Sequence, residues 1–381
     1  MIYCLPTTYY ILKPKNMITI AIDSSSAEKP QRTGVEEYAK QMVDGFKELS
    51  IMGGEVELRL YNLSTLRWSL KRGWMQFRVT WELWRRPPNV FFVPGQGLPF
   101  FIPKKVKVAT TIHDVGFRSR PDLYHHAEVG RQNIATRRAV KRADVIFTPS
   151  EFTKNELINF FHAKPEKVIV IPLAADKLFV QAGREALEPV LNKYRLGYKN
   201  YFLFVGRVEA KKNPAMLVPA FNDFKKNMGF GDPMRLVFAG RLGWRGEEVK
   251  KAAALSPYTD YISWLDFVPR EDLPALVGGA RALLAPSWYE GFGLTPLEAA
   301  ASGTPVIASN IPAHREVMCE AAEFVPPMAP DQWAAALTRT AREPGILDNL
   351  STKGLACVKQ FSWDKTVKQT WEALWNMLPK S

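Results

Sequence analysis

The chain has 381 residues, 46% of them hydrophobic and 23% charged, which argues against a disordered chain and suggests two domains at roughly 100–200 residues each. The three cysteines, Cys4, Cys319 and Cys357, form no C-x-x-C pair and speak against a disulfide framework or a cysteine zinc site, and no run reaches the ~18 apolar residues that cross a bilayer. A formal charge of +13 and a pI of about 9.5 favour polyanionic partners without choosing among nucleic acid, anionic lipid and phosphorylated substrates.

From the N-terminus, residues 1–16 have no basic n-region and are interrupted by Pro6 and Pro14, so they do not read as a signal peptide. With the cysteine usage, this gives a reducing, cytoplasmic compartment as the expectation. Ile18–Asp23 reads as a strand, followed by a loop and a helix from Gly34 to about Leu49. Further strands are expected at Val56–Tyr61, Val90–Val93, Val106–Ile112, Val145–Thr148 and Val168–Pro172. Between Val56–Tyr61 and Val90–Val93 lies a basic, aromatic stretch. It interleaves Arg67, Lys71, Arg72, Arg78, Arg85 and Arg86 with Trp68, Trp74, Phe77, Trp81 and Trp84. Such a mixture suits an anionic membrane surface. A helix whose solvated face is basic explains it as well, because the stretch lacks a clean period.

Residues 174–200 lack strand character and read as a boundary. A second series follows, with strands at Tyr201–Val205, Arg235–Ala239, Ile262–Trp264, Ala282–Ala285 and Pro305–Ala308, and helices at Pro214–Lys226 and Gly246–Ala254. Alternating strands and helices imply parallel sheets covered on both faces. The predicted fold class is therefore α/β, with two Rossmann-like doubly wound domains about a central cleft. Ligands in such sheets bind at the carboxyl ends of the strands.

The richest loop is Ser287-Trp-Tyr-Glu290-Gly-Phe-Gly-Leu-Thr-Pro-Leu-Glu298, after the strand Ala282–Ala285. Gly291 and Gly293 allow a tight turn and close backbone approach. A helix is expected to start at Thr295 with Pro296 in its first position, and its N-terminus suits a diphosphate. Glu290 and Glu298 could hold hydroxyls on either side of that diphosphate. For Glu298 a capping box, Thr295-x-x-Glu298, is the alternative.

Gly206-Arg207-Val-Glu-Ala-Lys-Lys212-Asn213-Pro214 follows the strand Tyr201–Val205. There Arg207 and Lys212 can converge on a diphosphate and stabilise the charge that develops as it departs. Thr110-Thr-Ile-His113-Asp114 ends a strand of the first series. His113 could bond a sugar hydroxyl or assist proton movement, with Asp114 orienting it; a satisfied structural histidine is the alternative. In Arg32-Thr33-Gly34, Gly34 either lets backbone approach a phosphate or acceptor or simply opens a helix.

No G-x-G-x-x-G follows a strand, since Gly291-Phe-Gly293-Leu-Thr ends in Pro296, which argues against a dinucleotide dehydrogenase. No Asp-x-Asp pair exists to clamp a diphosphate-bound metal.

At these residues the sequence resembles glycosyltransferase family 4, the retaining group 1 glycosyl transferases of GT-B architecture. Glu290 and Glu298 match the family's E-x7-E motif, Gly206-Arg207 with Lys212-Asn213 its phosphate loop, and His113-Asp114 its first-domain histidine. Gly303-Thr-Pro305-Val-Ile-Ala also fits. The resemblance covers the chain from Met17 onward. It implies an acceptor-side domain over 1–182, a donor domain over 183–362 and a last helix, about 363–381, returning to the first domain. It further implies a nucleotide-diphosphate sugar bound by Arg207, Lys212, Val268, Glu290, Gly291, Phe292, Gly293, Leu294, Thr295 and Glu298. Glu290 would take the sugar, Glu298 the ribose, Arg207 and Lys212 the diphosphate, and the backbone at Phe267–Val268 the base. Glu290, His113, Arg207 and Lys212 are the expected catalytic set, with Gly34 and Asp114 on the acceptor or phosphate side. No metal or other cofactor is expected, and configuration would be retained. The family's first-domain loop is richer in glycine than Ser24–Gly34, where only Gly34 stands.

The leading functional expectation is transfer of a mannose- or glucose-type hexose onto a glycan or lipid-linked glycan in cell-surface polysaccharide assembly. Peripheral contact with an anionic membrane is expected, and specific nucleic-acid binding is not. A non-catalytic nucleotide- or glycan-binding protein of the same fold, and a nucleotide-sugar epimerase, are the alternatives.

Overall fold

The computed structural model describes residues 17–29, 33–53, 56–66, 73–229 and 231–378. Residues 1–16, Arg32, and Arg67, Trp68, Lys71 and Arg72 of the basic stretch lie outside the described residues.

Twelve strands form two parallel six-stranded sheets among the described residues. The first comprises β1 (Ile18–Asp23), β2 (Val56–Tyr61), β3 (Val90–Val93), β4 (Lys107–Thr111), β5 (Val145–Thr148) and β6 (Val168–Val170), in the order β2-β1-β3-β4-β5-β6. The second comprises β7 (Tyr201–Val205), β8 (Arg235–Ala239), β9 (Ile262–Trp264), β10 (Ala282–Ala285), β11 (Val306–Ser309) and β12 (Glu323–Val325), in the order β12-β11-β10-β7-β8-β9. The chain packs as two compact units. One takes in Met1–Pro94, Pro99–Ala109 and Ala373–Ser381; the other takes in Gly95–Leu98 and Thr110–Glu372.

The expected strands are present, and only β4, β6 and β11 among them have ends that differ, by one or two residues. The second series also contains β12, a three-residue strand too short to carry a period. The second sheet is buried on both faces. Phe202, Leu203, Leu236, Val237, Ala282, Leu283 and Ile307 are all fully covered, which is why its strands read as continuous apolar runs rather than alternating ones. Its core is aromatic, with Phe202 edge-on to Phe224 at 5.3 Å and Phe238 stacked on Trp264 at 4.4 Å between ring centres.

Residues 174–200 hold no strand but do form the helix Arg184–Lys193, whose Leu187 and Leu191 are buried. The glycine pair Gly278–Gly279 makes room for those two leucines. A β-carbon on Gly279 would lie 2.7 Å from Leu191 Cδ2.

In the second sheet β7 pairs with β8 on one side and β10 on the other, and the strand order reverses between β7 and β10. This reversal separates the crossovers to the two faces and opens a crevice at the strands' carboxyl ends. The loops that leave those ends are 206–213 and 286–293.

Candidate active site

Loop 206–213 leaves β7 through Gly206, whose φ of +131° is a conformation that side-chain-bearing residues rarely adopt. A β-carbon there would lie 3.3 Å from Lys212 Cδ and Cε, so the bare glycine is the floor on which the Lys212 stem rests. The chain then makes a short turn over Ala210–Lys212, ended by Asn213 in the left-handed region. Asn213 is buried, and its amide donates to the carbonyls of Pro286 at 3.2 Å and Pro327 at 2.9 Å. Trp288 N–H donates to the Lys211 carbonyl at 2.9 Å. The two loops are thereby locked in register at the switch point.

That lock brings Lys212 Nζ to 2.8 Å from Glu290 Oε1. The same oxygen accepts a second hydrogen bond, from Ser287 Oγ at 2.8 Å. Burial by itself pushes the Glu290 carboxyl up, but the ammonium groups of Lys212 and Lys211 and the bond from Lys212 outweigh it and hold the carboxyl at about 2. Glu290 is therefore a fixed anion that can accept hydrogen bonds or face positive charge.

Lys211, beside Lys212, was not singled out in the sequence. Its Nζ lies 3.2 Å from Asp114 Oδ2 and 5.7 Å from the centre of the Tyr124 ring. Burial opposes its charge, yet Asp114, Tyr124, Glu290 and Glu209 hold the ammonium well above the ordinary lysine value. Asp114 meets this lysine and the Gly116 N–H, which donates to Oδ1 at 3.2 Å. Its carboxylate thus ties the segment after β4 to loop 206–213.

His113 follows β4 after Ile112 and is half-buried. Its carbonyl oxygen abuts Gly291, where a β-carbon would come within 1.9 Å of it. The Gly291 carbonyl in turn accepts bonds from Ser150 Oγ at 2.6 Å and Thr153 Oγ1 at 3.0 Å. Tyr289 packs on Gly116, accepts from Val115 N–H at 3.3 Å and donates to Glu156. Gly116 and Gly291 allow this close approach, so His113–Asp114 and Glu290–Gly293 share one packed neighbourhood.

Beyond Gly291, Phe292 is buried edge-on to Phe361. Gly293 turns the chain with a φ of +113°, and the helix runs Leu294–Ala301. The helix starts one residue earlier than expected, because Gly293 makes the turn without any side-chain cap. Thr295 and Pro296 are therefore its second and third residues, and the capping-box reading of Glu298 fails. Glu298 is instead buried, with Oε1 3.7 Å from Arg270 Nη2, which also reaches Asp176 at 2.6 Å. Leu294 and Thr295 are half-buried at the helix N-terminus.

Arg207 is exposed, its stem packed on Gly243, where a β-carbon would come within 2.6 Å of Cδ. Val268 is buried after β9, beside Phe267, which is exposed and carries the Arg241 guanidinium 4.9 Å above its ring. Gly34 is the first residue of the helix Gly34–Gly53, exposed, in the other compact unit. At the helix start Glu36 accepts from the Thr33 N–H at 3.0 Å, and Glu37 N–H makes the first helical bond, to the Thr33 carbonyl.

His314 is a further residue of this neighbourhood that sequence reasoning missed. It is 1% exposed; Nδ1 lies 3.0 Å from the Ser309 carbonyl, and Nε2 has no hydrogen-bond partner among the described residues. A β-carbon on Gly293 would lie 3.1 Å from its Cδ2. Burial pushes the imidazole below its ordinary value, so it is neutral beneath the glycine turn.

Two family models match the chain: "Glycosyltransferase Family 4" over residues 34–177 and "Glycosyl transferases group 1" over residues 192–355. The chain is 30% identical over 294 residues to the O-antigen chain mannosyltransferase B of Escherichia coli, covering 77% of this chain and 76% of that one. It is 31% identical over 251 residues to the D-inositol 3-phosphate glycosyltransferase of Salinispora tropica, spanning 62% of this chain and 51% of that one. Among solved structures it is similar to the sucrose-phosphate synthase of Thermosynechococcus elongatus, with a TM-score of 0.74 at 17% identity, over 94% of this chain and 99% of that one. It is also similar to HepE of Anabaena in complex with UDP and glucose, with a TM-score of 0.71 at 15% identity, over 94% of this chain and all of that one. These likenesses give the fold as GT-B. Together with the matched models and the mannosyltransferase relative, they place the chain in the group 1, family 4 glycosyltransferases.

Proposed function

We propose that the chain transfers a mannose- or glucose-type hexose from a nucleotide-diphosphate sugar to a glycan or lipid-linked glycan in cell-surface polysaccharide assembly, with retention of configuration. The observation that carries this reading is the Lys212–Glu290 contact of 2.8 Å at the strand-order reversal, where a cation and a permanent anion stand side by side. Support for the substrate class comes from the E. coli relative, named as an O-antigen chain mannosyltransferase, and from the Anabaena neighbour, solved with UDP and glucose.

In this reading residues 183–362 form the donor domain and residues 1–182 the acceptor side. Lys212 spends one of its three N–H donors on Glu290 and offers the others to the diphosphate. Arg207 adds a second cation. The N-terminus of the helix Leu294–Ala301 faces the same group. The C1–O bond to the diphosphate breaks as the acceptor oxygen bonds to C1 on the same face. The acceptor's hydroxyl proton passes to the departing phosphate oxygen. Glu290, ionised throughout, receives a sugar hydroxyl and faces the positive charge developing at C1. It does not serve as a proton donor. His113 bonds a sugar hydroxyl, Glu298 the ribose and the backbone at Val268 the base. Arg207 and Lys212 take the part a metal would otherwise play on the diphosphate, and chemistry proceeds without one.

The protein works in the cytoplasm and meets an anionic membrane surface peripherally. No helix of the described residues is long and apolar enough to cross a membrane.

The test incubates the protein with labelled UDP- and GDP-hexoses and a membrane extract carrying lipid-linked glycans, with EDTA present. Transfer of label to the glycan fraction with release of nucleoside diphosphate is expected. Conversion of the donor into another nucleotide sugar would make the protein an epimerase, and an untouched donor would make it a binding protein.

A further inference from the structure

The basic, aromatic stretch contains a feature that its sequence hides. Residues Met75–Val79 form a π-helical turn, continued by the α-helix Thr80–Arg85. In space the pattern is sharp. Val79 and Leu83 are fully buried on one face, while Phe77, Trp81 and Trp84, spaced i, i+4 and i+7, are 70%, 52% and 62% exposed.

A loop after β3 completes the surface. Phe100 N–H donates to Gln76 Oε1 at 2.6 Å, which fixes Phe100 and Phe101 beside the helix, 58% and 70% exposed. These five aromatic side chains, with Gln76 and Thr80, line an open pocket of about 500 Å³. Five large rings left in water around one pocket are costly unless something apolar covers them.

The charge around the pocket says what covers it. The guanidinium groups of Arg78 and Arg85 lie 4.7 and 5.1 Å from the centre of the Trp81 ring. Arg86 is exposed at the end of the helix, and Lys104 and Lys105 are exposed in the loop that carries Phe100 and Phe101. An apolar pocket rimmed by indoles and cations, on a chain of net charge +13, matches the layering of an anionic bilayer, with phosphates outside and hydrocarbon beneath.

We propose that this pocket seats one acyl chain of an anionic phospholipid bilayer, with Trp81 and Trp84 in the interfacial layer and Arg85 and Lys104 on the lipid phosphates, while Arg78 stays bound to the Leu66 carbonyl and Glu82. The proposal rests on the membrane contact put forward above and gives it a place and a ligand class. It orients the protein on the surface by one rigid patch rather than by net charge alone.

The experiment uses the full chain with vesicles of phosphatidylcholine alone and of phosphatidylcholine mixed with phosphatidylglycerol. Sedimentation with the mixed vesicles is expected, and little with the neutral ones. Bromines on the acyl chains should quench tryptophan emission, and Trp81→Phe/Trp84→Phe should remove that quenching while keeping the binding. Phe77→Ser/Trp84→Ser should weaken vesicle affinity about tenfold or more. Because both side chains are exposed, its melting temperature should match wild type, which separates lost binding from lost folding. Sedimentation without acyl-chain quenching, or undiminished binding by the serine variant, overturns the pocket and leaves the membrane contact standing. No sedimentation with either vesicle overturns both, and hexose transfer remains tested by the donor experiment. A dimer that the serine substitutions dissociate, without vesicle binding, also overturns the pocket and assigns the patch to a second copy of the chain.

Discussion

Lys212 Nζ and Glu290 Oε1 lie 2.8 Å apart although 78 residues separate them in the chain. Each belongs to a loop leaving one of the two strands between which the sheet order reverses. The contact joins the group suited to an anionic leaving group with the group suited to a cationic sugar centre. Removing either partner should therefore have separable consequences.

Glu290→Ala is expected to lower turnover about 100- to 1,000-fold, the size seen when one preorganised electrostatic partner of a transition state is removed. Circular dichroism should report an unchanged fold. Wild-type turnover in the folded variant would take Glu290 out of the mechanism.

Lys212→Ala should weaken nucleoside diphosphate binding about tenfold or more, the loss expected for one charge-assisted contact. Gly206→Ala should imitate it in part, since its methyl would lie 3.3 Å from the Lys212 stem on a backbone with φ +131°. Calorimetric titration of UDP and GDP checks both. Unchanged affinity in Lys212→Ala would contradict the phosphate assignment.

The lowered Glu290 value makes a prediction about pH. A carboxyl held at about 2 when folded and near its ordinary 4.5 when unfolded binds fewer protons in the native state across that interval. Its contribution to stability is therefore present in full above about 4.5 and is lost as pH falls toward 2. Glu290→Gln should flatten the fall in melting temperature between pH 5 and pH 3 (an interval of roughly this size follows from the linkage). Parallel curves for variant and wild type would mean that Glu290 is not ion-paired in the native protein.

Gly291→Ala should cost about 2 kcal/mol or more and abolish transfer, because its methyl would lie 1.9 Å from the His113 carbonyl oxygen. Gly130→Ala is the control: it sits inside the helix His126–Arg142 with nothing within 4 Å, and should stabilise by about 0.5–1 kcal/mol. Thermal melts of the two variants decide. A neutral Gly291→Ala would mean that the loop does not rest on His113.

Much of this architecture was legible in the sequence because its signals are local. Buried parallel strands appear as short apolar runs, and loop glycines mark tight turns, so the sheets and the loops 206–213 and 286–293 could be placed from residues alone. What was not legible depends on pairing. The Asp114–Lys211 contact of 3.2 Å is one such pairing, since only the fold brings residues 114 and 211 together. Glu298 matched a capping box by spacing, but the turn at Gly293 starts the helix one residue early and leaves Glu298 to Arg270. His314 carries no motif at all; only burial beneath Gly293 brings it to notice. The aromatic pocket stayed hidden because Phe100 and Phe101, which complete it, are brought beside Phe77, Trp81 and Trp84 only by the fold.

The most direct test of the central claim is the melting temperature of wild type, Lys212→Ala and Glu290→Ala with UDP, GDP, UDP-glucose and GDP-mannose in EDTA. A ligand at 100 times its dissociation constant adds about 2.7 kcal/mol to the native state. Wild type should be stabilised by one nucleotide family, and further by its sugar conjugate. Lys212→Ala should lose most of both shifts, and Glu290→Ala should keep the first and lose the increment from the sugar. Equal shifts in all three proteins, or none in any, would contradict a donor site built on Lys212 and Glu290.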